Sequence, residues 1–194
     1  MKKILLIALL LIPCIGFSQT TKPITGFLGI KFGSSKVAVI AAMKAKGATW
    51  DKANTSGDDY AFSNVKLGLR TTAAFLVRFV NNKAYEADYI FAPDVEAKAI
   101  PDYNDLVADM TRVYGTGQVT KTYGYPYVEG DDNTLLGLSS GKIDFHTLWV
   151  DNANGDNTIE ISIPTDMSVK LQYQDAALVK EAIANQNAKQ KGDY

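Results

Sequence analysis

Apolar and polar positions along the chain follow two different periods. Phe75, Val77 and Phe79 alternate with Leu76 and Arg78, and Tyr85, Ala87, Tyr89 and Phe91 alternate with Glu86 and Asp88. Ile143, Phe145, Thr147 and Trp149 repeat the pattern, as do Ile159, Ile161 and Ile163, and then Val169, Leu171 and Tyr173. A period of two marks strands buried on one face. By contrast, Tyr103, Leu106, Val107, Met110, Val113 and Tyr114 fall at i, i+3, i+4, i+7, i+10 and i+11. This spacing predicts a helix over Asp102 to Tyr114, ended by Gly115. A second helix carries Val37, Ile40, Ala41 and Met43, opened by Gly33-Ser34-Ser35 and stopped by Gly47. A third, capped by Asp175, carries Leu178, Val179, Ala182 and Ile183. Phe27 to Phe32 reads as a first strand.

Strand parity fixes which residues face each other. A three-residue turn, Asn81 to Lys83, sets Phe79 against Tyr85, Val77 against Ala87 and Phe75 against Tyr89, with Arg78 opposite Glu86 on the outer face. The same parity joins Val65, Leu67 and Leu69 to this meander through Arg70-Thr71-Thr72. In the later meander, a loop at Ala153-Asn154-Gly155 sets Trp149 against Ile159 and Phe145 against Ile163. The expected fold is α+β, with antiparallel meanders packed against about three helices in two layers. Whether the meanders share one sheet is left open.

The ends of the chain change this picture. Lys2 and Lys3 precede an apolar run from Ile4 to Ile12, and Pro13 and Gly16-Phe17-Ser18 follow. That run is shorter than the roughly 20 residues a membrane-spanning helix needs, so residues 1–18 read as a secretory signal cleaved before Gln19. The expected location is periplasmic or secreted, with no transmembrane segment after cleavage. Lipid anchoring through Cys14, the only cysteine, is the alternative; Pro13 stands where a lipoprotein signal has a small residue. Residues 19–188 form one expected domain, and the polar, aperiodic residues 189–194 read as a frayed tail.

With 46% hydrophobic and 21% charged residues, the chain has the composition of a folded domain. A formal net charge of −1 gives no basic excess for binding nucleic acid. Removal of Cys14 with the signal would leave no thiolate for a disulfide, metal site or nucleophile. His146 is the only imidazole. The expected register places it opposite Ser162 and on the face that carries Asp144, Glu160 and Lys170. His146 with Glu160 or Asp144 is therefore the candidate acid-base pair of a hydrolase acting on exported glycan or peptide. The same residues also suit the wet side of a sheet.

Three acidic loops invite a metal test: Ser56 to Asp59, Glu129 to Asn133 and Asp151 to Asn157. In the last, Asn157 stands where a calcium loop has Gly and Ile163 where it has a closing Glu, so all three read as turns. Gly115-Thr116-Gly117 ends a helix instead of opening one, unlike a phosphate loop. No metal site or cofactor is expected. Tyr123, Tyr125 and Tyr127 alternate around Gly124 and Pro126 beside an acidic loop, and aromatic rings in that setting can receive a sugar or an extended peptide. They are the candidate ligand-binding residues. The expected partner is a protein or carbohydrate ligand of the cell envelope.

The stretch from Phe27 to Lys36 leading into a Gly-terminated helix, the Phe-Ser-Gln signal ending, the Phe79 to Tyr85 hairpin and the Tyr114-Gly115 helix end together resemble small exported α+β domains of Bacteroidetes, whose function is mostly uncharacterised. The Gly33-Ser34 helix opening is also similar to the repeated helix-plus-sheet domains of outer-membrane assembly lipoproteins and β-lactamase inhibitor proteins. Those domains act mostly by binding. Neither resemblance supplies a catalytic residue, and both imply an exported binding module.

Overall fold

A computed structural model describes residues 22–192; the expected export signal and Cys14 lie outside the described residues. The elements run β1 (Gly26–Phe27), β2 (Ile30–Lys31), α1 (Lys36–Ala45), β3 (Thr49–Ser56), β4 (Asp59–Ser63), β5 (Lys66–Leu67), β6 (Arg70–Thr71), β7 (Ala74–Val80) and β8 (Lys83–Phe91). There follow α2 (Ala99–Tyr114), β9 (Gln118–Tyr123), α3 (Thr134–Ser139), β10 (Ile143–Asp151), β11 (Asn157–Ser162), β12 (Val169–Gln174) and α4 (Ala176–Gly192). Eight of the strands make one antiparallel sheet in the order β3-β4-β7-β8-β12-β11-β10-β9. The fold is α+β. The two meanders share a sheet because β12 pairs with β8 on one side and β11 on the other.

The alternating apolar residues face a common core with α1, α2 and α3. Phe75, Val77, Ala87, Tyr89, Ile159, Ile161 and Leu171 are fully buried there with Val39 and Met43 of α1, Tyr103 and Leu106 of α2, and Leu138 of α3. Thr147 also points inward and is fully buried; its hydroxyl meets that of Tyr103 at 2.6 Å, so neither polar group is stranded. Trp149 is buried as well, and its indole N–H donates to the carbonyl of Gly115 at the end of α2.

Several local expectations are corrected. The turn between β7 and β8 has two residues, Asn81 and Asn82, both at positive φ, so Phe79 faces Ala84. A bulge after Arg78 absorbs Tyr85 as an extra residue and restores Val77 opposite Ala87 and Phe75 opposite Tyr89. Parity thus fixes the body of the hairpin, and the bulge conceals the length of its turn. Phe27 to Phe32 is a tight hairpin instead of one strand, since Leu28 and Gly29 adopt φ of 49° and 74°. Val65 to Leu69 is not the neighbour of β7. That place belongs to β4, which hydrophobic alternation does not mark, while β5 and β6 form a small hairpin with Leu69 exposed at its tip.

In α1 the Ser35 hydroxyl caps Ala38 as expected, but the buried residues are Val39 and Met43, and Val37 points to solvent. The long helix α2 begins at Ala99, before the expected Asp102, and α3 adds a fourth helix. The later meander keeps its expected register, Trp149 to Ile159, through a longer connection whose Gly155 is left-handed.

The last helix lies across one end of the sheet. Asp175 caps it through the Leu178 N–H, and the Asp175 N–H donates to Tyr85. Farther along, Glu181 binds Asn81 and Lys83 at the β7–β8 turn. Helical geometry runs to Gly192, through residues whose polarity predicts a tail.

Candidate functional site

Because successive residues of a strand point to opposite faces, β10 places Asp144 and His146 together on the face away from the core. The imidazole Nδ1 lies 2.7 Å from Asp144 Oδ2. Ser162 sits directly opposite His146, and Glu160 lies opposite Leu148, one step along the same face. Among the described residues, no hydrogen bond joins His146 to Ser162 or Glu160. The arrangement orients one nitrogen of the imidazole toward a carboxylate. That geometry can relay a proton, but it presents no activated hydroxyl.

Farther along the same face is a larger assembly that the sequence discloses only in part. Arg78 pairs with Glu86, as their expected opposition implies, and its guanidinium also lies 3.2 Å from Asp88. Lys170 reaches Asp88 at 3.3 Å, Gln172 donates to both carboxylates at 3.0 and 2.9 Å, and Gln174 donates to Glu86 at 2.7 Å. The side chains of Glu86 and Asp88 are only 6% and 2% exposed, although they stand on the outer face of the sheet. Two buried carboxylates are tolerated because two cations and two amides surround them. The signal lay in the alternating polar residues of β8 and β12, but nothing local says that these strands are neighbours.

The three candidate tyrosines do not converge on one surface. Tyr123 ends β9 and packs edge-on against Phe145, with ring centroids 6.0 Å apart. Tyr127 is half-buried and leans over Gly137 of α3, where a methyl group would meet its ring. Only Tyr125, which precedes Pro126 at a cis peptide bond, is open to solvent, at 93% exposure. It marks a corner beside β9, which has β10 on one side and, among the described residues, no neighbouring strand on the other. Val119, Val128 and Leu136, in the same stretch of chain, are also exposed. Lys121 folds back over the Phe145 ring, with Nζ 4.7 Å from its centroid.

In each acidic loop a carboxylate is engaged by hydrogen bonds or an ion pair, within the loop or from a distant segment. Asp131 accepts from the N–H groups of Val128 and Asn133, and Asp151 from that of Ile24 and the amide of Asn154. Lys36 neutralises Asp58 at 2.7 Å. Among the described residues no group of three or more His, Cys, Asp or Glu side chains is placed to hold a metal ion. No described helix is long and apolar enough to cross a membrane. At Gly117 an added methyl would strike Trp149 and Thr147, so close packing against the core explains this glycine. The chain matches no known family model, and neither a curated protein nor a solved structure matches it.

Proposed function

We propose that the protein is an exported, non-enzymatic binding module of the cell envelope that receives an extended polypeptide along β9 and the Tyr125 corner. The observation that carries this reading is the edge of β9, which has no neighbouring strand among the described residues, with Val119 and Tyr125 exposed beside it. An edge strand offers backbone N–H and C=O groups to an incoming strand, and adjacent side chains supply selectivity. Lys121, turned inward at this edge, discourages indiscriminate pairing with a second copy. Export rests on residues 1–18. The resemblance to exported domains that act by binding agrees with it.

Site-specific photo-crosslinkers at positions 119 and 125 test the surface, with position 150 on the opposite face as control. Crosslinks to a polypeptide from 119 and 125 but not 150 support the edge, and equal or absent crosslinking overturns it. The 2.7 Å contact between Asp144 and His146 favours a second reading, a hydrolase acting on exported glycan or peptide. It predicts pH-dependent turnover that disappears in His146→Gln and persists in Tyr125→Ala.

A further inference from the structure

Beneath the β1–β2 hairpin lies a cavity of about 500 Å³, within the range of small-molecule sites. Three elements supply a phenol to it: Tyr89 of β8, Tyr173 of β12 and Tyr114 at the end of α2. Tyr173 stands between the other two, with ring centroids 5.8 Å from Tyr89 and 6.5 Å from Tyr114. The hairpin covers the phenols with Phe27 and Ile30. Lys22, Lys31 and Lys46 also line it, and among the described residues no carboxylate does. The Lys22 amino group sits 5.8 Å from the centroid of the Tyr114 ring, so one cation reaches the phenol cluster.

Tyr89 is the informative residue. It is fully buried, and its hydroxyl is a buried side-chain polar atom with no hydrogen-bond partner among the described residues. Its ring packs edge-on against Phe75 at 4.6 Å, a contact that a phenylalanine would make equally well. A hydroxyl retained in such a place calls for an acceptor. Tyr173 is little better supplied: its hydroxyl meets the Met110 sulfur at 3.9 Å, a weak acceptor, and the neighbouring Tyr114 phenol. Burial pushes both phenols well above their ordinary range, so at neutral pH each keeps its proton for donation.

We propose that this cavity binds a small organic carboxylate, its oxygens accepting from the Tyr89 and Tyr173 hydroxyls and its apolar body lying beneath Phe27 and Ile30. Hydrogen bonds to an ionised acceptor are stronger than those to a neutral one. The lysine-lined, carboxylate-free wall selects the anion. The proposal is independent of the β9 edge.

Sodium octanoate and 1-octanol, titrated in parallel into protein carrying ¹³C-labelled tyrosine rings, test it. Octanoate is expected to shift the Tyr89, Tyr114 and Tyr173 resonances saturably, with octanol at least about tenfold weaker. Tyr89→Phe should weaken octanoate binding by about tenfold and leave the folded spectrum intact, because ring packing is preserved. Lys22→Gln should weaken it severalfold. Octanol binding as well as octanoate, no saturation at millimolar octanoate, or an unchanged affinity in Tyr89→Phe would each overturn the proposal. Unaltered crosslinking from position 125 in Tyr89→Phe separates this site from the β9 edge.

Discussion

The side-chain amide of Asn157 donates to the backbone carbonyl of Ile24 at 2.8 Å, joining residues 133 positions apart. Its oxygen accepts from the Ala176 N–H at 3.1 Å. One buried amide therefore ties the segment leading into β1 to the first residue of α4. In Asn157→Ala, a buried carbonyl and a helix N-terminal N–H lose their partner together. The expected cost is about 2–3 kcal/mol, read from urea unfolding at constant m-value. A loss below about 0.5 kcal/mol, the range of an ordinary surface change, would mean that the bridge carries little.

Asp151 adds a pH-dependent tie to the same segment. Desolvation pushes its carboxyl upward, but donation from the Ile24 N–H, with further bonds from Asn154 and Ala153, outweighs it and holds the group below its ordinary 3.8. A carboxyl depressed by folding stabilises the protein fully above its unfolded value and loses that contribution as pH falls through the folded one. The stability advantage of wild type over Asp151→Asn should therefore be present at neutral pH and shrink as pH falls below about 4. An advantage that grows on acidification would contradict the assignment.

Tyr103 and Thr147 form a polar pair inside the core. Tyr103→Phe leaves the Thr147 hydroxyl buried alone and should cost about 1–2 kcal/mol. Tyr103→Phe with Thr147→Val removes both partners and should cost less than the sum of the two single changes. Calorimetry of the four proteins measures the coupling, and strict additivity would indicate that the hydroxyls do not interact.

On the outer face, Arg78 serves Glu86, Asp88 and, at 3.7 Å, Asp59. Arg78→Ala leaves the nearly inaccessible Glu86 without a cation and Asp88 with Lys170 alone, and should destabilise by about 3–5 kcal/mol. Lys170→Ala should cost far less, because Asp88 keeps Arg78 and Gln172. Adding Glu86→Gln and Asp88→Asn to Arg78→Ala should recover much of the loss in denaturant midpoint. Equal costs for Arg78→Ala and Lys170→Ala would refute this division of labour.

How much of this was legible depended on how far apart the interacting residues are. Local pairing came through: Trp149 faces Ile159, Arg78 faces Glu86, Ser35 caps α1 and Gly115 ends α2. Failures came where local chemistry opposed parity. Asn81 and Asn82 make a left-handed two-residue turn that parity excluded, and the bulge at Tyr85 reconciles the two. Thr49 to Ser56 is too polar to announce a strand, and its pairing with β4 is interrupted by a bulge. The candidate site divides in the same way. The Asp144–His146 contact follows from spacing within one strand. The carboxylate network and the tyrosine cavity depend on β12 lying beside β8, a long-range pairing with no local signature. Alternation also marked Tyr123, Tyr125 and Tyr127 without revealing that only Tyr125 remains outside.

The position of β12 governs the order of assembly. It is the last strand among the described residues, yet it occupies an interior place in the sheet, between β8 and β11. Until it arrives, each meander has an open hydrophobic flank, Asp88 lacks Lys170, Glu86 lacks Gln174, and the phenol cluster lacks Tyr173. A chain emerging with its N-terminus first cannot close this sheet before Val169–Gln174 has emerged. β12 acts as a keystone: the two meanders become one cooperative sheet only once it is seated between them.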